Sequence, residues 1–328
     1  MRERVGWVFA FLDELIEELS VPPSHKELLR GPLDLVREEA NASPEMSTVQ
    51  VPLLVHAAIA GDEKPAIPVA AACTILCLGA DLLDSIIDHE LPNLWHIRDS
   101  AEINLAVTTL VGALPQLSIA RLQEETQPAT IWALAHLFAD TILTINAGQH
   151  EDLLFSNSVN VSLKDSRVMI ERKTGSATAL LAKAGAMLAT EDPFRVRSYT
   201  AFGSCYGIAK QLVNDAWGIW GEGAGQDLLN GRRTFPVVHA LSVLRGARRE
   251  QLQRLLALSR ESAEHHDEVR ALIATAGSAR YTALIVWLYQ QRARNHLVDA
   301  SPQGSAGREL KGLLDGASLL PRLKQTQP

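Results

Sequence analysis

AIPVAAACTILCLGADLLDSIID, residues 66–88, poses the question of fold most sharply. Apolar residues recur through it at three- and four-residue steps, the period of an α-helix buried on more than one side. Its acids then fall at Asp81, Asp84 and Asp88, so one helical face ends in carboxylates one turn apart. Ionised carboxylates gathered beside an apolar run repel one another and are costly to desolvate unless something cationic neutralises them. The competing reading is an amphipathic helix whose last turn is simply solvated.

A second stretch repeats the pattern. Behind the apolar run FGSCYGIAKQLV (202–213), NDAWGIWGE (214–222) spaces Asn214, Gly218 and Glu222 by four, with Asp215 adjacent. ERKTG (171–175) and DLLNGRRTFP (227–236) supply cations. Oxygen donors without His or Cys nearby select a hard ion such as Mg²⁺, which bridges one or two carboxylates to phosphate oxygens. Two facing helices lined with acid, with Lys and Arg close by, make a site for a metal–diphosphate group.

Working outward, helical periods recur in 5–19, 101–122, 129–155, 165–190, 195–220, 234–246 and 279–297. Pro and Gly fall between them, in VPPSH, GDEKP, TQPAT, EDPF, GEGAGQ and ASPQGSAG, and alternating strand-like runs are absent. No repeat and no linker divides the chain, so a single all-α domain over 1–328 is expected. With 47% hydrophobic and 21% charged residues, the chain can bury a sizeable core. A net charge of −7, with no Lys/Arg block longer than two, argues against a nucleic-acid partner. Cys73, Cys77 and Cys205 are read as reduced core residues. The N-terminus MRERVGWVFAFLDEL carries acids within its apolar part and is no signal peptide. The longest apolar run, 66–80, is too short to span a bilayer, so no membrane span and a cytoplasmic location are expected.

Taken together, the motifs resemble the polyprenyl synthetase (trans-isoprenyl diphosphate synthase) family. GQDLLNGRRTFPVVHAL (225–241) is similar to its signature GxDxxxGKxTxPxxxAL, and AKQLVNDAWG (209–218) to its second aspartate-rich motif, QxxDDxxD. KTG (173–175) matches its phosphate-binding Lys-Thr, AGQHEDL (147–153) its Gly-Gln segment, and DLLDSIID stands in place of the first motif, DDxxD. The order and approximate distances agree over about residues 50–245. The resemblance implies the isoprenoid synthase fold, an all-α helical bundle around a deep apolar cavity, and a homodimer. It implies a prenyltransferase that ionises an allylic prenyl diphosphate, with two or three Mg²⁺ ions bound alongside the substrate. By the same resemblance, Asp84, Asp88, Asp215 and Asn214 are metal ligands, with Asp81 and Glu222 as additions. Lys173, Arg232 and Arg98 would bind the diphosphate, and Lys173 and Gln211 would be catalytic. Gly79, Ala80, Phe202, Tyr206 and Gln149 would line the tail pocket. The small residues Gly79 and Ala80 beneath Asp84 then imply a deep floor, with a substrate or product of farnesyl to geranylgeranyl length or longer.

Departures from the family pattern matter as much. Ser85 replaces an acid in the first motif, while Asn214 and Gly218 each replace one in the second. NDxxGxxxE resembles the metal triad of class I terpene cyclases, with Gly218 at the Ser position, and Glu222 alternatively falls where synthetases place a Lys. The basic segment that elongating synthetases use for isopentenyl diphosphate would fall on STVQVP (47–52), placing Thr48, Val49 and Val51 where cations belong. The Arg pair after the first motif is reduced to Arg98. Each lost charge-assisted bond to a diphosphate costs ~1.5–3 kcal/mol. An acceptor other than isopentenyl diphosphate, a cyclase or lyase on the same fold, and a non-catalytic regulatory relative are therefore the competing functions. Arg233 and the His265-His266 pair are expected to face solvent.

Overall fold

The structure, a computed structural model, describes residues 2–42, 46–88, 91, 99–124, 126–156, 158, 160–221 and 225–316. Helices α1 (Arg2–Glu17), α2 (Pro23–Ala42), α3 (Ser47–Ala60), α4 (Ile67–Ile87), α5 (Ser100–Thr108) and α6 (Leu114–Ala120) come first. They are followed by α7 (Pro128–Ser156), α8 (Leu163–Ile170), α9 (Ser176–Ala189), α10 (Pro193–Trp220) and α11 (Gln226–Leu229). The last are α12 (Phe235–Val243), α13 (Gly246–Leu258), α14 (His266–Thr275), α15 (Ser278–Asp299) and α16 (Gly304–Gly316). Among the described residues there is no strand, so the protein is all-α as expected.

The chain divides into two compact units. The first comprises 1–142, 178–203 and 296–313, and the second 143–177, 204–295 and 314–328. Every crossing falls inside a helix (α7, α9, α10, α15 or α16), not in a linker. That is why no domain boundary is legible in the composition.

In the first unit α4 packs on α1, α3 and α6. Val8, Leu12 and Ile16 of α1, Leu29 and Leu33 of α2, Leu53 of α3 and Ile75 of α4 form its core with Leu110 and Leu114. At ~25 cal/mol per Å² of apolar surface removed from water, such burial is the main force holding the helices together. The helix ends are read easily from sequence. Asp99 caps α5 by accepting from Ala101 N–H at 2.7 Å, and Gly61, at φ 86°, closes α3 by donating to Ala57. Arg4 of α1 is nearly buried, bonds Gln50 at 3.2 Å and pairs with Glu63 and Glu309, joining α1, α3 and α16.

The second unit has two apolar clusters. Met169, Ile208, Leu212, Phe235 and Val286 form one, and Ile219, Leu228, Val237, Leu252 and Ile273 the other. α12 belongs to both through Phe235 and Val237.

Three helical stretches are long and apolar enough to cross a membrane by length and composition: Lys64–Ile87, Ser100–Glu124 and Pro128–Ser156. The expectation that the 66–80 run is too short therefore fails on length, because the helix around it has 24 residues. In that helix 67% of the most apolar window is buried, so its hydropathy is that of a core element. In Pro128–Ser156 only 22% of that window is buried; Leu134 and Phe138 face the core, while Trp132, Leu143, Leu153 and Leu154 are exposed.

Candidate functional site

In the first unit, the acids of the first motif close α4. Asp84 and Asp88 are half-buried and Asp81 is exposed. Asp88 is the C-cap, its N–H bonded to the Asp84 carbonyl at 2.9 Å. The last turn of α4 contains no basic residue, so its carboxylates face the negative end of the helix dipole. A cation at this end would relieve both repulsions. Ser85 donates its hydroxyl to the Asp81 carbonyl at 2.9 Å, spending it on its own helix. The segment STVQVP (47–52), where the basic clamp of elongating synthetases is expected to fall, carries no Lys or Arg. Val49 and Val51 of α3 are 0% and 1% exposed and belong to the apolar interior, so no cation fits there without disrupting the unit.

Gly79 departs from its expected role. A Cβ there would lie 2.6 Å from Val111 Cγ2 and 3.2 Å from Leu110 Cβ. The missing side chain lets α4 approach the π-helical turn Thr109–Ala113, and it is not an opening into empty space. Ala80 beside it is half-buried, and Phe202 is fully buried within the same unit.

The second unit assembles the other motifs. Gln211 and Asp215 share a face of α10, and Gln211 Nε2 donates to Asp215 Oδ1 at 2.8 Å. Asp215 Oδ2 accepts the Phe235 N–H at 2.8 Å. Thr234, the N-cap of α12, makes no side-chain cap, so Asp215 caps that helix from α10. Asp215 is 7% exposed, and burial pushes its pKa up to about 6. The Phe235 and Gln211 bonds act against that rise, neighbouring Asp152 adds to it, and Lys173 opposes it.

Lys173 sits on a π-helical turn, Glu171–Gly175, a local widening that recurs at functional sites. Its Nζ lies 3.0 Å from Asp152 Oδ2, in a pair with side chains 19% and 15% exposed. Thr174 donates its hydroxyl to Gln211 Oε1 at 3.0 Å. The segments therefore form a continuous polar chain. Two glycines permit it: a Cβ at Gly148 would lie 2.6 Å from Lys173 N, and one at Gly175 would lie 3.1 Å from Ile208 Cγ1.

Asn214 is exposed, whereas Asp215 beside it is buried. One turn on, the place a side chain at 218 would occupy is filled by the Asp227 carboxylate. Asp227 also lies 3.7 Å from Arg232 Nη1, and Arg232 N–H donates to the Asp227 carbonyl at 2.9 Å. An acid missing from α10 is thus replaced in space by one from the first turn of α11. Gln149 is 9% exposed and Tyr206 6%, both within this unit. Arg98 and Glu222 lie outside the described residues.

Two site residues escaped sequence reasoning, Asp152 and Asp227. Asp152 stands three after Gln149 on α7, and Asp227 is the acid of the GQD triplet. Each follows a recognised glycine motif, which was the available signal. Two other expectations are corrected. Arg233 is 9% exposed and His266 5%, so neither faces solvent.

Residues 94–275 match the polyprenyl synthetase family. A geranylgeranyl diphosphate synthase from Mycobacterium tuberculosis is 28% identical over 68% of this chain and 67% of its own length. Another, from Sulfolobus acidocaldarius, is 24% identical over 78% of this chain and 80% of its own. In fold, the crystal structure of a geranylgeranyl pyrophosphate synthetase from Pyrococcus horikoshii superposes with a TM-score of 0.82 at 21% identity. It covers 96% of this chain and 98% of its own. A polyprenyl synthetase from Streptomyces coelicolor gives 0.81 at 19%, over 97% and 98%. The chain belongs to the polyprenyl synthetase family and is a prenyltransferase.

Among the described residues, no three His, Cys, Asp or Glu side chains converge to hold a metal unaided. The donors are carboxylate and amide oxygens. Such a set fits Mg²⁺, which takes one or two carboxylates and fills its shell with water and phosphate oxygens. It does not fit zinc, which wants a closed tetrahedron.

Proposed function

We propose that this prenyltransferase ionises an allylic prenyl diphosphate with Mg²⁺ and passes the cation to an acceptor other than isopentenyl diphosphate. One observation carries the acceptor half: Val49 and Val51 are sealed in the apolar interior at the positions where a second diphosphate would need cations. The first half rests on the acids closing α4 and on the Lys173–Asp152 and Thr174–Gln211–Asp215 chain.

The residues that would hold Mg²⁺ are Asp84 and Asp88, with Asp81, in the first unit, and Asp215, Asn214 and Asp227 in the second. When bound, the metal would draw charge from the departing diphosphate. Lys173 and Arg232 add fixed positive charge for the same leaving group, held in position by Asp152 and Asp227. Gln211 acts as a positioning residue, joining Thr174 to Asp215 so that the π-helical turn and the start of α12 are fixed together.

The proposed substrate is an allylic diphosphate of farnesyl or geranylgeranyl length. A cyclase reading is favoured by the same buried valines, because a cyclase needs no second diphosphate. Product analysis separates the two. With Mg²⁺ and farnesyl or geranylgeranyl diphosphate alone, a cyclase yields hydrocarbon or alcohol. A transferase yields prenylated product once its acceptor is added. A longer prenyl diphosphate, formed efficiently with isopentenyl diphosphate, would refute the acceptor proposal.

A homodimer belongs to the same proposal. Trp132, His136, Ala139 and Leu143 form an exposed stripe along α7 at helical spacing, with Trp132 77% and Leu143 71% exposed. Leu105 and Leu117, before and after the Thr109–Ala113 turn, are 58% and 43% exposed. A second copy of the chain is the proposed cover for these side chains.

A further inference from the structure

Arg233 is buried to 9% exposure, yet among the described residues its guanidinium has one protein partner: Nε donates to the Ser158 carbonyl at 3.1 Å. Its Nη1 is shut off from solvent with no hydrogen-bond partner, and among the described residues Arg233 is in no ion pair. A guanidinium stays charged even when buried, so among the described residues nothing compensates this desolvated positive charge. Burial lowers the Arg233 pKa, and the like charge of Arg260 lowers it further. Arg260 is exposed and lies across Gly231, where a Cβ would sit 2.7 Å from its Nε and 2.9 Å from its Cζ. Gly231 has φ +69°, and its bare Cα is what admits the guanidinium. Two further buried hydroxyls without partners, Thr234 Oγ1 and Ser259 Oγ, flank these arginines in sequence. The neighbouring arginine, Arg232, goes to a different partner, the Asp227 carboxylate.

We propose that Arg233 and Arg260 form a binding site for a phosphate-type oxyanion, separate from the Arg232–Asp227 pair. In this proposal Arg233 supplies its unspent Nη1, and the exposed Arg260 supplies a second guanidinium. The planar guanidinium fork matches tetrahedral oxyanions and forms charge-assisted bonds with them. The anion is either free phosphate or pyrophosphate, or the diphosphate head of a prenyl substrate.

Calorimetric titration and thermal denaturation in EDTA test the site without turnover or metal. The probes are inorganic phosphate, inorganic pyrophosphate and farnesyl diphosphate, and the proteins are wild type, Arg260→Gln and Arg233→Gln. Wild type is expected to bind an oxyanion and to melt higher with rising anion concentration. Loss of one charge-assisted donor in Arg260→Gln should weaken that binding by about tenfold or more. Arg260→Gln changes an exposed side chain, so it keeps the test valid if Arg233→Gln does not fold. If the free anions lose affinity, the ligand is a free oxyanion. If only farnesyl diphosphate does, the site takes the substrate head. Equal responses of wild type and Arg260→Gln to every probe, or no response in wild type, would overturn the proposal.

Discussion

Asp215 has each carboxylate oxygen bonded, one to Gln211 and one to the first N–H of α12, while its surroundings disfavour its charge. Because its folded pKa is raised from 3.8 to about 6, the carboxyl favours the folded state when protonated. That contribution is fully present below pH 3.8 and is lost as pH rises to about 6. A rise of that size corresponds to about 3 kcal/mol. Urea denaturation in EDTA should therefore show a component of stability that falls across this window in wild type and is absent in Asp215→Asn. Identical pH profiles would mean that Asp215 is not held as described. The other acids show how far single residues can be read. Spacing placed Asp84, Asp88 and Asp215 on apolar helices, which is where they lie. It does not show that the gap at Gly218 is filled by Asp227 of α11, a contact no one-dimensional pattern carries. Arg233 was misread for a similar reason: two adjacent arginines look alike in sequence but point to different environments.

Among the elements, the π-helical turn Glu171–Gly175 is what brings Lys173 and Thr174 to their partners, and Gly148 of α7 makes room for it. A methyl at 148 would meet the Lys173 backbone, which cannot swing away as a flexible side chain can. Gly148→Ala should cost about 1–3 kcal/mol of stability, as overpacking does. It should also reduce affinity for the allylic diphosphate by displacing Lys173. Unchanged stability by denaturant titration would show that α7 and the turn are not so tightly apposed. The helices themselves were legible because Pro and Gly fall between periodic runs and the caps use ordinary residues such as Asp99 and Gly61. The two π-helical turns were not, since an extra residue in a turn leaves the apolar period almost unchanged. Gly79 was misjudged at this scale too. A small residue reads as open space in sequence, whereas here it marks a close helix crossing.

For the molecule as a whole, the all-α class followed from the absence of alternating runs, while the division into two compact units had no sequence signal, since each crossing falls within a helix. The exposed stripe on α7 bears on assembly. Trp132→Glu should convert a dimer into monomers in sedimentation velocity while leaving the helical content unchanged. A wild-type chain that sediments as a monomer would remove that part of the account.

The central claim, that acids from the two motifs act with Mg²⁺ to release the diphosphate of an allylic substrate, is tested most directly by measuring pyrophosphate. Farnesyl and geranylgeranyl diphosphate would be incubated with the protein in Mg²⁺ and in EDTA, each with and without isopentenyl diphosphate. Release is expected in Mg²⁺, to vanish in EDTA, and to be lost in Asp84→Ala with the fold intact by circular dichroism. Release that persists undiminished in EDTA or in Asp84→Ala, or folded wild-type protein that releases none from either substrate, would contradict it.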